Sequence, residues 1–204
     1  MSDKEEIPSI DNIFVDFVHP NPNINQQAFS NMKKFWPEES IAILTKNLDS
    51  KNVVLRRKSV KALASFGKAI VKEIIQLYFL SKENIQRISC LKILTIVASS
   101  NSLDDLREEI KSLIEIAIKD DSVESILITV SLLRQLGNQS LPCLKSLCRD
   151  NNVLRAKAAI TALSEITALS EITDPSIKDF LVMIADDISL DSIVRESALD
   201  VLNK

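Results

Sequence analysis

The sequence predicts an all-α chain, a right-handed α-solenoid of about five to six stacked helical hairpins. Three observations lead there. The first is an internal repeat: Asn52-Val-Val-Leu-Arg-Arg-Lys-Ser-Val-Lys-Ala-Leu63 and Asn152-Val-Leu-Arg-Ala-Lys-Ala-Ala-Ile-Thr-Ala-Leu163 share one frame, with a small residue at the eighth place. The second is the spacing of the copies. Their last apolar anchors are Met32, Leu63, Leu94, Leu133, Leu163 and Leu202, at intervals of 31, 31, 39, 30 and 39 residues. Periods of that size mean stacked units, because one helical pair cannot bury its apolar face alone. The third is the scarcity of glycine. Two glycines stand in 204 residues, against roughly 14 in an average chain of this length. Hairpin-rich β-folds draw on glycine turns and are disfavoured.

The elements follow in order. Residues 1–8 are expected to form a flexible tail, and 9–204 one repeat domain. An opening helix over about Ser9–Val18 ends at His19-Pro-Asn-Pro22, where proline cannot continue it. Each repeat then starts with a helix carrying the small-residue column: Ala28, Ser59, Cys90, Thr129, Ala159 and Ala198. Small residues permit close helix packing, and apolar residues three and four apart form one face. The second helices are expected at Pro37–Leu48, Lys68–Leu80, Leu103–Lys119, Asn138–Arg149 and Pro175–Asp187. Pro37 and Pro175 suit a first helical turn. Asp49, Ser102, Asp121, Asp150 and Asp174 are expected to cap helices. Gly67 and Gly137 each lie four residues after an anchor, where a first helix stops and a left-handed cap favours glycine. One segment is irregular: Thr161-Ala-Leu-Ser-Glu-Ile166 is repeated at once as Thr167–Ile172. It reads as a tandem duplication that lengthens or buckles its helix.

Composition excludes several chemistries. Phosphate cradles need clustered glycines, and these two are 70 residues apart. One histidine, His19, excludes multi-histidine zinc sites. It reads as a turn residue. A net charge of −3 argues against a dedicated nucleic-acid binder. The first residues lack the apolar core of an export signal. Cys90, Cys143 and Cys148 therefore read as reduced cytoplasmic thiols that pack as small hydrophobes. No constellation has catalytic specificity, and no metal set is expected.

An arginine column (Arg56, Arg87, Arg195) recurs in the first helices. In stacked repeats such an arginine more often bonds to the neighbouring turn than to a ligand. Arg57, Lys58 and Lys61 make one helix locally basic, which is usually a solvated face and can pair with carboxylates. Trp36 and Tyr78 are the large amphipathic rings. Trp36 reads as closing the core.

Three stretches carry a resemblance: His19-Pro-Asn-Pro-Asn-Ile24, Leu48 to Leu63, and Ile193-Val-Arg-Glu-Ser-Ala198. From about residue 12 to 204 the chain resembles the HEAT-like repeats of the E/F-type phycobilin lyase family, and within it the small phycoerythrin lyase subunits of the Z type. Departures are the six-residue duplication, Glu83 where asparagine is usual, and Ala156 and Ile126 in the arginine column. The resemblance implies a lyase subunit or lyase-associated chaperone. It would assist attachment of an open-chain tetrapyrrole, phycoerythrobilin, to a cysteine of a phycobiliprotein. It also implies that client as partner, beside a second HEAT-like subunit. The client supplies the nucleophile, so the lyase needs none. Bilin propionates favour Arg or Lys, which makes Arg56, Arg57, Arg87 and Arg155 candidate binding residues, and Tyr78 is a further candidate. The alternatives are a non-enzymatic HEAT adaptor, including a phycobilisome-degradation factor, and a stand-alone enzyme, which the shortage of clustered polar groups disfavours.

Overall fold

The small-residue column locates the core. Ala28, Ser59, Cys90, Thr129, Ala159 and Ala198 are each no more than 1% exposed. A larger side chain there would separate helices that already touch, at a cost of about 1–3 kcal/mol. The anchors Met32, Leu63, Leu94, Leu133 and Leu163 are equally buried, and Leu202, in the last helix, is half-buried.

The computed structural model describes residues 7–169 and 175–203. All regular structure among them is helical, so the all-α repeat class stands as the repeat predicts. The chain divides into two units, residues 1–97 and 98–204.

In the first unit, α1 (Ile10–Val18) packs on α2 (Pro22–Phe35), followed by α3 (Pro37–Lys46), α4 (Val53–Ala64), α5 (Val71–Leu80) and α6 (Asn84–Ala98). Phe17 joins the first pair, with its ring centroid 5.6 Å from Phe14 and 6.1 Å from Phe29. In the second unit, α7 (Arg107–Ala117) precedes α8 (Val123–Leu136), α9 (Leu141–Leu147), α10 (Val153–Leu169), α11 (Pro175–Asp186) and α12 (Ser192–Leu202). Here the first helices stack on one another, α8 against α10 and α10 against α12. Column residues Thr129, Ala159 and Ala198 lie on these helices.

The expected second helices form, but three begin with a 3-10 turn (67–70, 104–106, 137–140). Two of those turns start at the glycines, which are the residues with positive φ: 65° at Gly67 and 62° at Gly137. Ser140 Oγ donates to the Leu133 and Gly137 carbonyls (2.6 and 2.7 Å), sewing the end of α8 to the start of α9.

The caps differ from expectation. Asn52, Ser122 and Asn152 cap α4, α8 and α10. The acids expected to cap lie too early in the chain. Asp150 instead accepts the backbone N–H of Asn152 (2.8 Å), as Asp120 accepts that of Ser122 (2.9 Å). A side chain two residues before the cap thus forms the turn that aims the cap. Ser102 accepts the Asp104 N–H at its 3-10 turn. Asp174 lies outside the described residues, as do residues 1–6 of the expected tail. Pro8 is engaged, because its carbonyl accepts the Trp36 indole N–H at 2.9 Å.

At the duplication, α10 runs unbroken through the first copy and on to Leu169. Ala162, Leu163 and Ile166 of that first copy face the core. The remainder of the second copy, 170–172, lies outside the described residues. For the part described, the duplication lengthens the helix.

Candidate functional site

The arginines come first, because their chemistry invites a ligand. Arg56 donates to the Ser50 carbonyl. Arg87 repeats the bond one repeat later, with Nε 2.9 Å from the Ser81 carbonyl. Both reach back six residues and close the turn that enters their own helix. Arg87 also stands over Tyr78, 6.0 Å from the ring centroid, and Tyr78 is itself buried.

Arg155 performs the same task where the column has Ala156. Its Nη1 donates to both Asp150 carboxylate oxygens (3.0 and 3.1 Å). Its Nη2 donates to Asp121 Oδ1 (2.8 Å) and the Asp120 carbonyl (3.2 Å). The residue is 6% exposed. Of the five candidate binding residues, Arg57 is exposed and has no hydrogen bond or ion pair among the described residues. None of the five lines the cleft described below.

The opening motif is also occupied. The Asn25 side-chain amide faces the last carbonyls of α1, at 2.9 Å from Asp16 O and 2.7 Å from His19 O. Lys58 Nζ donates to the same His19 carbonyl at 2.9 Å. Lysine 58, read from the sequence as part of a solvated basic face, is therefore a cap for a helix end whose carbonyls have no intrahelical donor. His19 Nδ1 accepts the Asn21 N–H (3.0 Å), as a turn residue does.

The thiols separate into two kinds. Cys90 and Cys148 are fully buried, and burial pushes each up to about 12. Cys143 is half-buried, raised first by burial and then by the Glu115 carboxylate. Contrary to the packing role expected of it, Cys143 lines a cleft.

That cleft lies within the second unit and has a volume of about 340 Å³, within the range of small-molecule sites. One wall is α7. Ile110 and Ile114 on it, with Ile118 just past its end, form an apolar row, and Arg107, Lys111 and Glu115 a polar row beside it. Residues four apart stack along one side of a helix, and three positions turn about 300°, so the rows are neighbours. Leu133 and Leu136 at the end of α8 form the floor, and Pro142 and Cys143 of α9 the facing wall. Arg107, Lys111 and Glu115 are exposed, and none is ion-paired among the described residues. The polar row is readable in the sequence as Arg-x-x-x-Lys-x-x-x-Glu. The facing wall is not, because it depends on how α9 packs.

Among the described residues no group of three or more His, Cys, Asp or Glu could hold a metal. No described helix is long and apolar enough to cross a membrane.

No family model matches the chain. It is 26% identical over 197 residues to a Pseudanabaena tenuis protein named "uncharacterized phycocyanin operon protein Z", covering 96% of this chain and 95% of that one. Among solved structures it is similar to a designed armadillo repeat protein (TM-score 0.48, 14% identity, 96% and 99% of the chains covered). A second engineered protein gives a TM-score of 0.48 at 17% identity, with 94% of each chain covered.

Proposed function

We propose that this chain is a phycobilisome assembly factor, a lyase subunit or lyase-associated chaperone that helps attach phycoerythrobilin to a phycobiliprotein cysteine. The observation that carries the reading is its full-length likeness to a protein named for the phycocyanin operon. The resemblance of its repeats to E/F-type lyases points the same way, and the cleft between α7 and α9 supplies space for a ligand.

The reaction is an addition. The client thiolate's sulfur forms a C–S bond to the exocyclic carbon of the bilin's double bond. The π-electron pair takes up a proton at the adjacent ring carbon, so nothing leaves and nothing is oxidised. The thiols of this chain are poor competitors, because burial keeps all three protonated well above neutral pH. Its work is to hold a flexible ligand in one conformation, shield it from water and present it to one cysteine. Arg57 is the member of the predicted arginine set free to contact a propionate or the client. The partners are the phycoerythrin subunit and a second HEAT-like subunit.

The test is co-expression with an apo-phycoerythrin subunit and the bilin, with and without candidate partner subunits. Covalent, zinc-fluorescent client that depends on this chain supports the reading. Equal chromophorylation without it overturns the reading and favours a non-enzymatic adaptor.

A further inference from the structure

The second unit is acidic. Residues 98–204 hold 11 Lys and Arg against 18 Asp and Glu, a net charge of −7. Two unpaired cations one turn apart on a cleft rim are therefore not a consequence of a basic surface. Arg107 also sits in the first turn of α7, near the partly positive end of the helix dipole, which disfavours a cation. A cation placed there gains nothing from its helix and is available to an anionic ligand.

Glu115 continues the same row. From Arg107 to Glu115 the helix rises about 12 Å. Arg107 and Lys111 thus fill the first half of that row and Glu115 its far end, with Ile110, Ile114 and Leu136 beside them against the ligand's body. We infer that the α7–α9 cleft binds a small molecule that carries a carboxylate, N–H donors about 6–12 Å from it and an apolar face alongside. The carboxylate pairs with Arg107 and Lys111, and the N–H donors face Glu115. A macromolecular groove would be longer; every residue that lines this cleft lies between Arg107 and Cys143, in one unit.

The inference rests on the proposed function only in choosing a linear tetrapyrrole as the first probe. Its propionates can pair with the two cations and its lactam N–H groups with Glu115, whereas a fatty acid offers the carboxylate alone.

Cys143 supplies the reporter, because it lines the cleft while Cys90 and Cys148 are buried. The full chain is alkylated with N-ethylmaleimide at pH 8.5, with biliverdin, with dodecanoate or with neither, and Cys143 modification is followed by mass spectrometry. Biliverdin is expected to slow the reaction at least fivefold and dodecanoate less. The double reversal Arg107→Glu/Lys111→Glu should weaken biliverdin protection at least tenfold. Lys119→Glu, a reversal outside the cleft, should leave it within twofold. Both reversals sit on exposed positions, and circular dichroism confirms that each variant folds. Absence of protection by either probe overturns the inference, as does protection indifferent to the double reversal. Dodecanoate protecting as well as biliverdin overturns the donor end assigned to Glu115. Client chromophorylation is scored separately. Protection without chromophorylation sinks the assembly reading and leaves the cleft standing. Chromophorylation that depends on this chain, with no protection of Cys143, does the opposite.

Discussion

Replacing Arg155 by methionine keeps the aliphatic stem and removes the guanidinium from a site that is 6% exposed. Four hydrogen bonds are lost: two to Asp150, one to Asp121 and one to the Asp120 carbonyl. They are not equal. The Asp121 side chain is 76% exposed, so that pair is worth under about 1 kcal/mol. The Asp150 side chain is 26% exposed and is held by both oxygens. Charge-assisted bonds there contribute about 1.5–3 kcal/mol. The Asp120 carbonyl, left without its donor, adds about 1 kcal/mol. The expected cost of Arg155→Met is therefore about 3 kcal/mol, which for a chain of this length lowers Tm by roughly 6–12 °C. Urea denaturation followed by circular dichroism measures it. Asp150→Asn should cost about 1–2 kcal/mol and Asp121→Asn less than about 1 kcal/mol. Arg155→Lys should recover less than half of the loss, since one ammonium cannot make the fork. The reasoning is refuted if Arg155→Met lies within about 0.5 kcal/mol of the parent, the scatter of an ordinary surface change. It is also refuted if Asp121→Asn costs as much as Asp150→Asn.

Three further outcomes are expected. Gly137 caps α8 at φ 62° and ψ −135°, and a Cβ there would meet nothing within 4 Å, so Gly137→Ala should cost about 1–3 kcal/mol from backbone strain alone; an unchanged urea midpoint would contradict this. Thr129 Oγ1 is buried with no hydrogen-bond partner among the described residues, so Thr129→Val should raise stability by about 1 kcal/mol, read as a higher midpoint at constant slope. Cys90 and Cys148 have folded pKa values raised from 9.0 to about 12, so their contribution is complete below pH 9 and is lost as pH rises towards 12, because the unfolded thiol ionises first. At pH 10 the loss is on the order of 1 kcal/mol per thiol, and Cys90→Ala/Cys148→Ala should flatten the decline in stability between pH 8 and 10. A slope unaffected by the double substitution would show that the thiols do not drive it.

Much of the fold was legible because its signals are local. Helical periodicity, the small-residue column and a glycine after an anchor all act within a few residues of themselves. Hence Ala28, Ser59, Cys90, Thr129, Ala159 and Ala198 could be placed in the core without coordinates. Both glycines could likewise be placed at turns that demand positive φ. The capping residues were misplaced by one to three positions. Aspartate, serine and asparagine all accept N–H groups, and only the backbone path shows which one meets the first turn and which aims it.

The roles of charged side chains were less legible, because a long arginine or lysine finds its partner across the stack. Arg155 binds Asp121, 34 residues earlier, and Lys58 donates to the carbonyl of His19, 39 residues before it. A repeat alignment marks such residues as alike or unlike their column and is silent about what they touch. The cleft shows the same division. Its polar row on α7 is a matter of four-residue spacing and belongs to the sequence. Its existence as a cavity does not. A gap remains only because Pro142 and Cys143 of α9 stand off from α7 at the end of α8, and that separation is set by packing. By itself, then, the sequence determined the repeat, its buried column and its helix stops, which arise from contacts along one helix. The tertiary structure alone decided which cations are spent as clasps and which are left facing an apolar cleft, because that depends on distances between helices.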